Sequence, residues 1–287
     1  MAAGGLLDGH GSKAVRDASA WWQVLPRALG SQIRILGLLV FREGRTQFAE
    51  SPFRALFELV EPLIFILGLY LLHEFLMSST PFGTSPLLFL ATGITPYFLF
   101  LSISSGVRGS ARDIRSLRNF PLITPLDLIS ARCLYELLAS APIYGLLFWS
   151  MWLYGIPEAT PASVDKIVGS VAVIFIFGFG FGMINACITT FIPQWMLFFK
   201  ITGRLMMITS GVHRVPEYLP EYFRQYVVWN PLMHAVEWFR SGFYMLYPTY
   251  SLDIGYLLSW AAVTFVLGLA FERAVRPRLY RGKKDRV

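Results

Sequence analysis

Six long apolar stretches alternate with charged links along this chain, and the positive charge in those links is strongly one-sided. If both ends lie on the same side of a membrane, four basic regions fall there together: the N-terminal arm, residues 108–132, the short link carrying Lys200 and Arg204, and the tail from Arg273. Only Lys166, Arg214, Arg224 and Arg240, of 25 Lys and Arg, are left for the other side. The positive-inside rule expects this bias of a polytopic helical protein with cytoplasmic termini. The expected fold class is therefore all-α and polytopic.

Composition supports the same reading. With 55% apolar and 15% charged residues and a mean hydropathy of +0.52, a water-soluble fold would leave too much apolar surface uncovered. The formal charge of +7 suits anionic membrane lipids as partners. Nucleic acid is not expected, since no basic stripe interleaved with stacking aromatics sits in a hydrophilic domain. Cys133 and Cys187 fall in different apolar stretches, which reads as packing rather than a disulfide framework. The opening residues have no apolar core behind a basic cluster, so no cleaved secretory signal is expected.

The spans are expected at about 56–77, 86–107, 126–154, 167–192, 194–212 and 256–271. The first, at 1.5 Å per residue, reaches roughly 33 Å, enough for a hydrocarbon layer of about 30 Å. Residues 226–247 are apolar enough to tempt a seventh, but His234, Glu237 and Arg240 are costly at bilayer depth. A seventh span would also carry the basic tail outside. Residues 217–247 are instead expected to form short re-entrant or amphipathic outer helices broken at Asn230-Pro231. Ahead of the spans, Trp21-Trp22 precedes Leu25, Leu29, Ile33, Leu36 and Val40 at helical intervals, with Arg27, Arg34 and Arg42 among them. That pattern predicts an interfacial amphipathic helix over 21–50, either a membrane staple or a dock for a cytosolic partner. The chain then divides into an extension at 1–20, this helix, a six-span domain over 51–272 and a basic cytoplasmic tail at 273–287.

No catalytic constellation can be assembled. His10, His73, His213 and His234 lack metal-ligand spacing, there is no Gly-x-Ser-x-Gly elbow, and Gly282-Lys283 lacks the upstream glycine of a phosphate loop. No catalytic residue, metal or cofactor is therefore assigned to this chain. Arg108, Arg112, Arg115 and Arg118, with Asp113, recur every three or four residues before Asn119-Phe120-Pro121. They form either a solvated topogenic loop or a coupling helix whose polar side enters a groove on an ATPase. Glu58 and Glu61, three apart, and Arg132 and Glu136, four apart, each share a helix face, for ion pairing or substrate contact. Gly178-Phe179-Gly180-Phe181-Gly182 holds a small-residue spacing that permits close helix packing or helix movement. Aromatics cluster towards the outer side, including Trp149, Tyr222, Trp229 and Trp238. Belt anchoring is their default role, and stacking on sugar faces is the functional one.

Several motifs, in order, carry a resemblance. The run Phe41-Arg42-Glu43-Gly44-Arg45-Thr46-Gln47-Phe48 leading to Phe57-Glu58-Leu59-Val60-Glu61-Pro62 is the first. Gly93-Ile94-Thr95-Pro96-Tyr97-Phe98, Ile129-Ser130-Ala131-Arg132 with Glu136, and Trp229-Asn230-Pro231-Leu232-Met233-His234-Ala235-Val236-Glu237 with Arg240 follow. From about residue 40 to the last span, the chain resembles bacterial ABC-type polysaccharide-export permeases, the capsular-polysaccharide type above the O-antigen type. The resemblance implies a homodimer in the bacterial inner membrane. Two copies of a separate cytosolic ABC ATPase would bind ATP and Mg, a lipid-linked polysaccharide would cross between the subunits, and periplasmic and outer-membrane capsule-export components would join. It further implies ATPase coupling through Glu43, Arg45, Arg112, Asp113, Arg115 and Arg118. Polymer-path candidates are Arg132, Glu136, Tyr97, Phe98, Trp149, Lys200, Arg204, Tyr222, Trp229, Asn230 and Trp238. Rival readings are an exporter of O-antigen, teichoic acid or a small molecule, a membrane glycosyl- or acyltransferase, and an assembly scaffold.

Overall fold

A computed structural model describes residues 21–50, 52–76, 80–113 and 123–280. The extension at 1–20, Arg115 and Arg118 in the link after Asp113, and the end of the basic tail lie outside them. Among the described residues there are nine α-helices and no strand. They are α1 Trp21–Glu50, α2 Pro52–Phe75, α3 Pro86–Asp113, α4 Pro125–Leu153, α5 Val164–Phe191, α6 Trp195–Ile208, α7 Glu221–Val227, α8 Pro231–Arg240 and α9 Ile254–Tyr280. Five of them, α2, α3, α4, α5 and α9, contain stretches long and apolar enough to cross a membrane. The protein is a polytopic helical membrane protein.

Five long helices run between two ends of the bundle, and the shorter α6 starts from the near end. At the near end α1 lies against the start of α4, and Asn185 of α5 accepts a 2.8 Å hydrogen bond from Trp195 Nε1 of α6, closing the tight turn between those helices. At the far end the α2–α3 link meets the α4–α5 link, where Glu158 accepts from the backbone and the hydroxyl of Thr84 at 3.0 Å. The expected fifth span, 194–212, is the exception in length. Its helix has 14 residues, about 21 Å at the standard rise. It stops because Thr209 leads into a turn where Gly211 takes φ +71°, and the carbonyls of Gly211 and Val212 are held by Arg240 rather than by a further turn of helix. Lys200 and Arg204 sit within this helix, inside the stretch expected to be the fifth span.

Packing centres on α5. A Cβ at Gly180 would fall 2.4 Å from the Phe265 backbone of α9, and one at Gly182 would fall 2.8 Å from the Ser104 carbonyl of α3. The glycine spacing therefore lets α5 touch two neighbours backbone to backbone. Phe100 stacks on Phe177 at 4.9 Å beside this contact. Cys133 and Cys187 are buried and unpaired by disulfide, as packing residues should be. Towards the near end, Thr124 and Asp127 form a reciprocal capping box that starts α4.

The region between α6 and α9 breaks at Asn230-Pro231, where Asn230 caps α8 and accepts from Leu232 N at 3.0 Å. Its two helices differ. Helix α7 is exposed and presents Tyr222, Phe223 and Tyr226 outward, whereas α8 is buried along almost its whole length and wedges between α3, α5 and α9. Helix α1 spans the residues expected to be helical, but the side it turns to the bundle is shifted. Ile33 is 70% exposed, while Leu39 is 5% exposed and Glu43 and Gln47 turn towards α4.

Candidate functional site

The near end holds a polar chamber of about 400 Å³ enclosed by α1, α2, α3, α4 and the start of α6. Its charged lining is Glu58, Glu61, Arg132, Glu136 and Lys200, with Ser105 and Tyr135 among its polar groups. Local sequence explains the openness. Pro62 within α2 removes one backbone donor from the helix, and a bilayer tolerates such a break only beside protein or water. Gly106 of α3 gives way to the side chains of Arg132 and Glu136, which a Cβ there would meet at 3.1–3.2 Å.

Arg132 is the hub of the chamber wall. Its Nη1 donates to Glu43 of α1 at 2.5 Å, its Nε donates to Glu136 at 2.8 Å, and the Gln47 carboxamide abuts the same guanidinium. Both ion pairs are largely buried, with Arg132 and Glu43 side chains 13% and 12% exposed. The i, i+4 pairing expected of Arg132 and Glu136 is present, and Glu43 is turned inward to it rather than outward. Arg45 is exposed on α1. Arg112 and Asp113 close α3 at the near end. Tyr97 is buried and donates to the Gly203 carbonyl of α6 at 2.9 Å, while its neighbour Phe98 lines the chamber. Lys200 and Arg204 are exposed, one turn apart on α6. Cations at that depth belong beside a water-filled passage or a partner rather than lipid.

The far end is built oppositely. Arg240 is fully buried, and its guanidinium donates to the carbonyls of Gly211 at 3.0 Å, Val212 at 3.2 Å and Phe89 at 3.3 Å, and to Tyr247 Oη at 3.2 Å. The Phe89 ring lies 3.9 Å below it. Gly93 makes the room, because a Cβ there would stand 2.4 Å from Nη2. Glu237, equally buried, accepts from Tyr247 Oη at 2.6 Å. Burial pushes its carboxyl from 4.5 up to about 8, against the pull of the Tyr247 hydrogen bond. Beside it, burial pushes the Tyr247 phenol up and, with Arg240 next in weight, the His213 imidazole down. His234 bonds the Val228 carbonyl through Nε2 at 2.9 Å and accepts from Asp253 N through Nδ1 at 3.0 Å. That arrangement needs a neutral ring, and burial accordingly lowers its pKa.

The far-end path candidates separate into two groups. Asn230 spends its amide on the Met206 carbonyl and Thr209 hydroxyl, and the Trp238 ring packs where a Cβ on Gly169 would be. Both are taken up in packing. Tyr222, Trp229 and Trp149 remain exposed, at 61%, 74% and 56%. Among the described residues no group of three His, Cys, Asp or Glu side chains is placed to hold a metal ion. The glutamate-bridged Arg132 hub and the carbonyl cage around Arg240 were only partly legible beforehand. Both arginines sit in the motifs of the sequence, but nothing local tells that Gly211, Val212 and Phe89 supply the acceptors.

Five apolar helices of bilayer length, a polar chamber at one end and a buried short helix at the other define an integral membrane protein. The model of the ABC-2 type transporter family matches residues 113–244, a little under half of the chain. It is 29% identical over 235 residues to the polysialic acid transport protein KpsM of Escherichia coli, covering 82% of this chain and 91% of that one. It is 26% identical over 260 residues to the capsule polysaccharide export inner-membrane protein BexB of Haemophilus influenzae, covering 88% and 96%. The O-antigen export system permease protein RfbA of Klebsiella pneumoniae is 24% identical over 226 residues, covering 75% and 82%.

Proposed function

We propose that this chain is the permease subunit of an ATP-driven exporter that moves a lipid-linked capsular polysaccharide across the bacterial inner membrane. The supporting observation is that capsule-export relatives align along more than four fifths of the chain. The near end is cytoplasmic in this reading, with both termini there, as the charge bias requires. Two copies form the transporter. Two cytosolic ABC ATPase subunits, which carry the ATP and Mg, grip α1 and the link after Asp113, and anionic lipids hold the basic near-end surface. Periplasmic and outer-membrane export components continue the route.

ATPase closure shifts a population between two arrangements of the bundle, because the ATPase pair binds α1 differently in each nucleotide state. Movement of α1 reaches the chamber through Glu43 and Arg132. Lys200 and Arg204 on α6 offer cations to an acidic polymer, and Tyr222 and Trp229 offer sugar-stacking faces at the exit. The test is co-purification with the cognate ATPase and assay of its turnover with and without the lipid-linked glycan. Stimulation is expected; turnover indifferent to capsular glycan but raised by O-antigen would transfer the chain to the RfbA-like reading.

A further inference from the structure

A second cavity, of about 450 Å³, runs along the far half of α4 and is almost wholly apolar. Its walls include Leu137, Gly145 and Phe148 of α4, Val171 of α5, and Phe239 and Phe243 at the end of α8. The groove exists because α8 holds α4 away from α5. Phe243 packs on Phe148 at 4.5 Å and Phe239 lies 6.3 Å from the same ring. Two of its few hydroxyls are turned to their own backbone, Ser140 onto the Glu136 carbonyl at 2.7 Å and Thr160 onto the Pro157 carbonyl at 2.8 Å. Such a lining has little to offer a sugar, whose recognition needs placed hydrogen-bonding groups.

We propose that this groove is a binding site for one acyl chain of a bilayer phospholipid. Left empty, it would deprive every lining side chain of contacts on one side. It is also continuous with an exposed apolar surface on a helix of bilayer-spanning length: Leu138, Leu146 and Leu153 stand 59–61% exposed along α4. At its mouth Trp149 and Trp152 are half exposed, at the end of a span, where amphipathic rings sit at headgroup level. A chain entering between those rings would pass down α4 and end against α3 at Leu99. The bound lipid would fill the gap between α4 and the plug, holding α8 in place from its lipid side. The assignment depends on the membrane location and not on which glycan is exported.

Gly145 makes the site testable, because it lines the groove and a Cβ there meets nothing within 4 Å, so Gly145→Phe starts its side chain in open space and adds bulk to the groove. Gly145→Leu is the milder second variant, and Leu146→Phe, one position on and outside the groove lining, is the control. The full chain is reconstituted in vesicles containing phosphatidylglycerol with a diazirine in its acyl chain, irradiated, and mapped by peptide mass spectrometry. Labelling should concentrate on 137–149, 167–171 and 239–243. It should fall about tenfold in Gly145→Phe, the equivalent of excluding roughly two methylenes, and stay unchanged in Leu146→Phe. Label spread evenly over the exposed face of α4 and indifferent to Gly145→Phe and Gly145→Leu would overturn the proposal. So would displacement of the label by added lipid-linked glycan, or a Gly145→Cys disulfide between two copies, each of which names a different occupant.

Discussion

Two arginines hold the ends of this molecule, and they are held in contrasting ways. Arg240 at the far end is sealed from solvent and satisfied mainly by backbone carbonyls and an aromatic face. Arg132 at the near end is satisfied by two carboxylates, one of them on the separate helix α1, and it borders a polar chamber. A cation caged by carbonyls from two segments and a hydroxyl from a third fixes those segments, since any shift strands several acceptors at once. A cation shared between carboxylates beside water can exchange partners at modest cost. The far end is thus a rivet and the near end a joint.

The sharpest test of that contrast is Arg240→Met. It leaves the carbonyls of Gly211, Val212 and Phe89 without their donor, and should cost about 3–5 kcal/mol, seen as a large fall in the thermal midpoint in detergent. A midpoint close to wild type would remove the rivet from the account. Next comes Gly93→Ala, whose methyl displaces the guanidinium and should cost about 1–3 kcal/mol by overpacking. Arg132→Ala should be milder, about 1 kcal/mol, because the chamber lets water reach the carboxylates left behind. Its effect on glycan export with the ATPase should nevertheless be the largest of the three per unit of stability lost. The pair Glu43→Arg with Arg132→Glu should recover part of that export, and equal losses in stability and export would argue against a joint.

Glu237→Gln should differ from these in sign and stabilise at neutral pH, since burial raises the pKa of this carboxyl and the wild type has to take up a proton on folding. Its folded pKa lies above its ordinary 4.5, so its contribution is complete below that value and is lost as pH rises through about 8. Wild type should therefore lose stability between those limits relative to Glu237→Gln, and parallel pH profiles would contradict the assigned burial. His234 has the opposite sign. Its folded pKa is lowered, so its share is present above the ordinary 6.5 and fades on acidification, a limb that Glu237→Gln should leave intact.

Much of the architecture was readable from local pattern. The long apolar stretches became α2, α3, α4, α5 and α9 with ends close to those expected, because bilayer thickness and helical rise set length directly. The break at Asn230-Pro231 was equally legible, since Asn as N-cap and Pro at the first helical position is a local signal. The early end of α6 was not, because the donor that takes the Gly211 and Val212 carbonyls lies on α8, far along the chain. For the same reason, Asn230 and Trp238 read as aromatic-belt or path residues until their partners, Met206, Thr209 and Gly169, were in view.

What the sequence by itself determined is a set of apolar helices of bilayer length and the bias of positive charge between them. Each depends on spacing or on a sum over neighbours in the chain. Only the tertiary structure decided which carboxylates Arg132 joins, that α8 plunges into the bundle as a plug, and that α4 stands off to leave an apolar groove. Those outcomes depend on which buried donor finds which acceptor across helices. In a medium without water to satisfy stray polar groups, that matching is settled by three-dimensional packing and not by the order of residues along any one helix.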